Sequence, residues 1–130
     1  MKYAYTILYV DNVADTIEFY KQAFGFEQKF ITPENDYGEL ISGETTIAFA
    51  STELGESNIK NGFEKADKSR KPFGIEIAFI SENIEVDFNN AIQAGAEEFE
   101  PLTDKPWGQK VGYLLDNNGF LIEICLPMNK

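Results

Sequence analysis

The alternation of hydrophobic and polar positions along this chain repeats once. A strand-like segment leads into a helix with one apolar face, and three further strand-like segments follow. When "YTILYVDNVADTIEFYKQAFGFE" is placed over "EIAFISENIEVDFNNAIQAGAEE", Tyr5 falls on Glu76 and Asn12 on Asn83, a displacement of 71 residues (76 − 5). The pattern predicts two βαβββ modules in tandem.

Each predicted helix has an apolar stripe and recognisable ends. Asn12 is the predicted N-cap of the first helix and Gly25 its left-handed C-cap, while Asn83 and Gly95 take these places in the second. The stripes consist of Val13, Ile17, Tyr20 and Phe24 in the first helix, and of Ile84, Phe88, Ala91 and Ile92 in the second.

Period-two alternation predicts three strands after each helix. They lie at residues 26–33, 37–42 and 45–51, and again at 97–101, 110–116 and 120–125. The sequence "DNNG" at 116–119 is typical of a tight hairpin turn. We therefore predict an α+β protein with a single domain over 1–130, made of a first module at 1–51 and a second at 73–130.

The segment between the modules, residues 52–72, is polar and shows no hydrophobic period. It is predicted to be a linking loop, either a solvated connection or a loop that orders over a ligand. Each sheet would have one face covered by its helix. Joining the modules side by side would make a curved mixed sheet with helices on the outer face and a central cleft, which is the expected site.

Composition limits the functions that this cleft could serve. There are 11 Lys and Arg residues against 22 Asp and Glu, a net charge of −11, which argues against nucleic acid as a partner. The chain has no histidine, which excludes Ser-His and Cys-His catalytic pairs. Its single cysteine, Cys125, allows no internal disulfide and is better explained as a small buried residue than as a reactive thiol.

No apolar stretch is long enough for a membrane span, and the N-terminus does not look like a signal peptide, so a cytoplasmic location is expected.

The order of these motifs resembles the vicinal oxygen chelate superfamily. The most specific part is "KPWGQKVGYLLDNNGFLIEIC", which is similar to the Trp-Gly, strand, Asp-x-x-Gly and Ile-Glu pattern of that superfamily. Its members include glyoxalase I, extradiol dioxygenases and the bleomycin-resistance proteins. The resemblance implies a divalent metal in the cleft, held at the positions of Tyr5, Ala48, Glu76 and Glu123, and a homodimer. Only the two glutamates are suitable metal ligands, because alanine has no donor atom and a phenolate is costly at neutral pH.

Strand parity places the same two glutamates on the cleft side. Because successive side chains of a strand point to opposite faces of the sheet, Glu123 is on the other face from Ile122 and Ile124, which belong to the core. Glu76 is likewise on the other face from Ile77. Aromatic residues are also expected near the cleft. The predicted ligand-binding residues are Tyr5, Tyr9, Glu76, Trp107, Tyr113 and Glu123, with Trp107 either lining the cleft mouth or closing one end of the core.

The sequence is compatible with three functions. The favoured one is a protein near the bleomycin-resistance branch that binds a small cationic or aromatic molecule without a strongly bound metal. The second is a metal-dependent lyase or isomerase of glyoxalase type, in which Glu76 and Glu123 hold Mg²⁺ or Mn²⁺. The third is a non-catalytic interaction module with a vestigial cleft. No catalytic residue is assigned, and the only cofactor considered is a divalent metal ion.

Overall fold

A tandem βαβββ arrangement is seen in the computed structural model, which describes residues 1–128. The predicted α+β class is confirmed, and residues 129–130 of the predicted second module lie outside the described residues. The elements are β1 (Thr6–Val10), α1 (Val13–Phe24), β2 (Glu27–Ile31), β3 (Tyr37–Ser42), β4 (Thr45–Ser51), α2 (Thr52–Asn58), β5 (Glu76–Ile80), α3 (Ile84–Gln93), β6 (Glu97–Asp104), β7 (Lys110–Leu115) and β8 (Leu121–Cys125).

The chain divides into two compact units, Met1–Lys65 and Ala66–Lys130, and each contains one four-stranded sheet. The strand order is β1-β4-β3-β2 in the first unit and β5-β8-β7-β6 in the second. In both, the first strand of the module pairs in parallel with the last, and the other pairings are antiparallel. The predicted cleft between the modules stays a prediction. Among residues 1–128, no helix is long and apolar enough to cross a membrane.

The ends and the buried face of α1 agree with the sequence. Asn12 Oδ1 accepts a hydrogen bond from the backbone N–H of Asp15 at 2.9 Å, and Gly25 ends the helix with φ 76°. The buried side of α1 packs on β4, where the rings of Tyr20 and Phe49 lie 4.9 Å apart. Packing of this apolar stripe stabilises the first unit.

The start of α3 differs from its prediction in one detail. Asn83 precedes the helix, but its side chain makes no capping hydrogen bond. The buried hydroxyl of Ser81 accepts from the Asn83 backbone N–H at 3.1 Å and donates to Asp87 Oδ2 at 2.6 Å. Ser81 therefore links the end of β5 to the first turn of α3.

The segment 52–72, predicted to be a loop, begins instead with the short helix α2. Ser51 Oγ caps it by accepting from the Leu54 backbone N–H at 3.0 Å. The hydrophobic pattern did not predict α2 because its buried residues are Thr52 and Gly55, neither of which has a large apolar side chain. Gly55 lies so close to the ring of Tyr9 that an added Cβ would be 2.7 Å from it.

Both modules use a glycine in the third strand to bring the helix close to the sheet. A Cβ at Gly38 would lie 2.4 Å from Ile17 Cδ1, and a Cβ at Gly112 would lie 2.6 Å from Phe88 Cε1 and 2.9 Å from Leu102 Cδ2. Gly38 and Gly112 occupy equivalent places on β3 and β7. Close packing of the helix on one face of the sheet is thus a feature of both modules.

Replacing Gly112 with alanine is expected to lower the free energy of unfolding by about 1–3 kcal/mol, because the new methyl group overpacks a site bounded by an aromatic ring. Gly74→Ala is the matched control, since a Cβ there meets nothing within 4 Å. Urea unfolding measures both variants. Equal stability of the two would show that Phe88 and Leu102 give way without cost.

Candidate functional site

Three polar side chains meet on the face of the second sheet that points away from α3. Glu123 in β8 lies directly opposite Tyr113 in β7 and Ala78 in β5, and Glu76 stands two residues before Ala78. Since β8 lies between β5 and β7, strand alternation sends all three side chains to the same side. The core-facing residues Ile122 and Ile124 are buried, as the parity argument predicted.

The carboxyl groups of Glu76 and Glu123, called the dyad below, lie close enough for a hydrogen bond between them. A hydrogen bond between two carboxyls requires one proton. This hydrogen bond, together with burial and the charge of Glu123, raises the pKa of Glu76 to about 7. Chemically, such a pair can bind a cation between its oxygens, and a carboxyl with a pKa near neutrality can also act as a general base.

The dyad has two further neighbours. Tyr113 Oη donates to Glu123 Oε1 at 3.2 Å, and burial followed by the charges of Glu123 and Glu76 raises the pKa of Tyr113, so its phenol stays protonated. Burial and a hydrogen bond with Glu123 raise the pKa of Cys125 to about 11. The thiol is buried and protonated at neutral pH, which agrees with a packing role. Glu123 thus has polar neighbours on the face of the sheet that points away from α3, and its carboxylate is not isolated.

The first sheet carries a different polar cluster on its corresponding face. Tyr37 Oη donates to Glu39 Oε2 at 2.6 Å, and Lys29 Nζ lies 3.5 Å from Glu39 Oε1. Burial, followed by Glu39 and the nearby Tyr5, raises the pKa of Tyr37. Glu39 lies directly opposite Ala48. Of this cluster, sequence reasoning singled out only Tyr5. The hairpin turn at Gly43 could have revealed Glu39, because counting outward from the Ser42 and Thr45 pair reaches Glu39 opposite Ala48.

Two other predicted ligand-binding residues have local partners. The ring of Tyr9 stacks on Phe63 at 4.6 Å, so one of its faces is already covered. Trp107 is 59% exposed and donates from Nε1 to Gln109 Oε1 at 2.8 Å. Trp107 therefore does not close the core, and the role of both residues in ligand binding stays a prediction.

The donor atoms at the four superfamily metal positions do not fit a tight divalent metal site. Tyr5 offers only a phenol, Ala48 is fully buried and has no donor, and the nearby Glu123 raises the pKa of Glu76 to about 7. Within residues 1–128, no three His, Cys, Asp or Glu side chains converge as a metal site requires. Divalent Mg²⁺ and Mn²⁺ need more oxygen ligands than the dyad supplies.

A family model described as Glyoxalase/Bleomycin resistance protein/Dioxygenase superfamily matches residues 2–124. The chain belongs to this superfamily. No match was found among curated proteins.

Solved structures show the same fold at low sequence identity. A hypothetical protein from S. aureus has a TM-score of 0.81 at 17% identity and covers 98% of this chain and 94% of its own. A glyoxalase-related enzyme from Fulvimarina pelagi has a TM-score of 0.79 at 16% identity, and the match covers 98% of this chain and 89% of that enzyme. A glyoxalase/bleomycin resistance protein/dioxygenase family enzyme from Burkholderia phytofirmans has a TM-score of 0.77 at 20% identity. The match covers 94% of this chain and 95% of that enzyme. At these identities the likeness establishes the fold alone.

The dyad makes stability depend on pH in a defined direction. Glu76 titrates at about 7 in the folded protein and near 4.5 when unfolded, so the folded state binds more protons between these values. The free energy of unfolding of the wild type should therefore fall, relative to Glu76→Gln, as pH rises through this window. Glutamine keeps a hydrogen bond to Glu123 because its amide donates.

Urea unfolding at pH values below, within and above the window measures the difference. Glu98→Gln, at an exposed position of β6, is the control and should follow the wild type throughout. Parallel curves for the wild type and Glu76→Gln would contradict proton sharing in the dyad.

Proposed function

We propose that this chain binds a small organic cation through Glu76, Glu123 and Tyr113, best of all an alkylammonium ion that carries an aromatic ring, without a strongly bound metal ion. The closeness of the two carboxyls on adjacent strands carries the proposal, because a ligand ammonium group can donate to both of them. The proposal includes a relationship to the bleomycin-resistance branch of the superfamily. On the superfamily resemblance, the proposal includes a cytoplasmic homodimer.

Charge and shape support a cationic ligand. An ammonium group offers up to three N–H donors, and the dyad offers acceptor oxygens on two adjacent strands. The Tyr113 ring lies beside Glu123 and is half-buried, so it can pack against an apolar or aromatic part of the ligand. The net charge of −11 raises the local concentration of cations and repels anions.

Benzylamine, benzyl alcohol and benzoate test this charge preference at constant ring size. Backbone amide NMR titration should show that benzylamine binds at β5, β7 and β8. Benzyl alcohol should bind there more weakly, and benzoate should not bind. Glu123→Gln should lower the benzylamine affinity by about 10-fold to 100-fold, since a hydrogen bond to a charged group contributes about 1.5–3 kcal/mol.

Glu98→Gln serves as the matched control, because it removes one charge from an exposed position of β6 outside the dyad. Its affinity for benzylamine should equal that of the wild type. Benzoate binding as tight as benzylamine, or a loss in Glu98→Gln equal to that in Glu123→Gln, would refute a role for the dyad in cation recognition.

The metal-free part of the proposal has its own measurement. Because the dyad supplies two carboxylates and the equivalent position in the first module is Ala48, dialysed protein should contain far less than one equivalent of divalent metal. Added Mg²⁺ or Mn²⁺ should shift the melting temperature of the wild type and of Glu76→Gln equally. A stoichiometric ion that is lost in Glu76→Gln would support the metal-dependent lyase or isomerase instead.

A further inference from the structure

Asparagine followed by glycine occurs twice in this chain, at Asn61–Gly62 and at Asn118–Gly119. Such a pair is prone to an intramolecular reaction, because glycine has no Cβ to shield its backbone nitrogen from the side-chain amide of the asparagine. The proposed function uses neither pair. The two pairs have the same local sequence chemistry, so the fold decides which of them can react.

The reaction at an Asn-Gly pair needs only water. The backbone nitrogen of the glycine loses its proton to solvent and attacks Cγ of the asparagine. The new N–Cγ bond closes a succinimide ring, and the side-chain nitrogen takes up a proton and leaves as ammonia. Water then opens the ring at either carbonyl, which leaves aspartate or isoaspartate in the chain. A hydrogen-bonded turn has to open before the nitrogen can reach Cγ.

The Asn118–Gly119 pair is held in the hairpin turn between β7 and β8. The Asp116 carboxylate accepts hydrogen bonds from the backbone N–H groups of Asn118 at 2.8 Å and of Phe120 at 2.9 Å. The Gly119 N–H donates to the Asp116 carbonyl at 3.2 Å. Gly119 is buried, and an added Cβ would lie 2.8 Å from the backbone of Asp67. Attack at this pair therefore requires several hydrogen bonds and a packed contact to break together.

The Asn61–Gly62 pair lies in an exposed turn that follows α2. The Gly62 N–H donates to the Ile59 carbonyl at 2.9 Å, and this hydrogen bond closes the turn. A Cβ added to Gly62 would meet nothing within 4 Å, so no other part of the chain packs against this glycine. Water and base reach the pair from solvent, and the loss of one main-chain hydrogen bond frees the attacking nitrogen.

Contacts on either side of this turn fasten the chain without involving the pair itself. Helix α2 ends at Ile59 on one side. On the other side, the ring of Phe63 stacks on Tyr9 at 4.6 Å, and Lys65 Nζ lies 3.1 Å from Asp11 Oδ1. The residues between the helix and Phe63 are exposed. The turn can therefore open locally while the sheet and α2 stay folded.

We propose that Asn61 is a site of spontaneous deamidation in the folded protein, and that the hairpin turn protects Asn118. The product adds a negative charge to the segment that carries Phe63 onto Tyr9. Isoaspartate also adds one carbon to the main chain between the end of α2 and Phe63. The modification is independent of ligand binding by the dyad.

Incubation of the full chain in mildly alkaline buffer, followed by tryptic digestion and mass spectrometry, tests the proposal. Cleavage after Lys60 and after Lys110 places the two pairs in separate peptides. Because its turn opens locally, Asn61 should deamidate in the folded protein within about 3-fold of its rate in urea-unfolded protein. Asn118 should react at least about 10-fold more slowly in the folded protein than in urea, because the hairpin turn has to open first.

Asn61→Gln should remove the faster modification, since glutamine closes the corresponding ring far more slowly. Asn58→Gln is the matched control, because Asn58 is also exposed but is followed by Ile59, whose branched side chain hinders attack. It should leave the rate at Asn61 unchanged. A rate at Asn118 equal to or above that at Asn61 in the folded protein would overturn the proposal. Failure of Asn61 to react in the folded protein, while both pairs react in urea, would overturn it as well.

Discussion

Parallel pairing of the first and last strands of each module brings together the residues on which the candidate sites depend. In the second module, β5 lies beside β8, and this places Glu76 within hydrogen-bonding reach of Glu123 although they are 47 positions apart (123 − 76) along the chain. In the first module, the same pairing of β1 with β4 sets Ile7 beside Ala48. Tyr5 immediately precedes β1 on the same side. Close helix packing at Gly38 and Gly112 covers the other face of each sheet, so the polar residues have only one face available.

Carboxylates in the middle of a sheet present the same electrostatic problem in both modules, and the two modules solve it differently. Glu39 is buried and is compensated by Lys29 and by the phenol of Tyr37. Glu123 accepts from Tyr113 and lies beside a second carboxyl, Glu76, whose pKa it raises. The first solution yields a nearly neutral cluster, while the second keeps negative charge that a ligand can neutralise. Repetition of the fold therefore does not produce two equivalent sites.

Sequence patterns predicted most of the fold because helix stripes, caps and strand alternation are local. Val13 and Ile17 on one helix face, Asn12 as the cap and "DNNG" as the turn needed no distant partner. The pairing of Glu76 with Glu123 was also within reach, because strand parity gives the face of each side chain. Helix α2 was missed since its contacts use Thr52 and Gly55. Lys29 was missed because a β-bulge changes which face of the sheet the preceding residues of β2 point to. No residue type in the sequence predicts such a bulge.

Ala48 stands where the superfamily resemblance implies a metal ligand, and its identity matters for its neighbours. A carboxylate at this position would lie directly opposite Glu39, and two negative charges facing each other across a ladder destabilise the sheet. Alanine removes that repulsion and leaves Glu39 free to bind Lys29 and Tyr37. In the second module the residue opposite Glu123 is Tyr113, a donor, so a carboxylate is tolerated there. In each of these two pairs, Glu39 with Ala48 and Tyr113 with Glu123, only one residue is a carboxylate, so two negative charges do not face each other across the ladder.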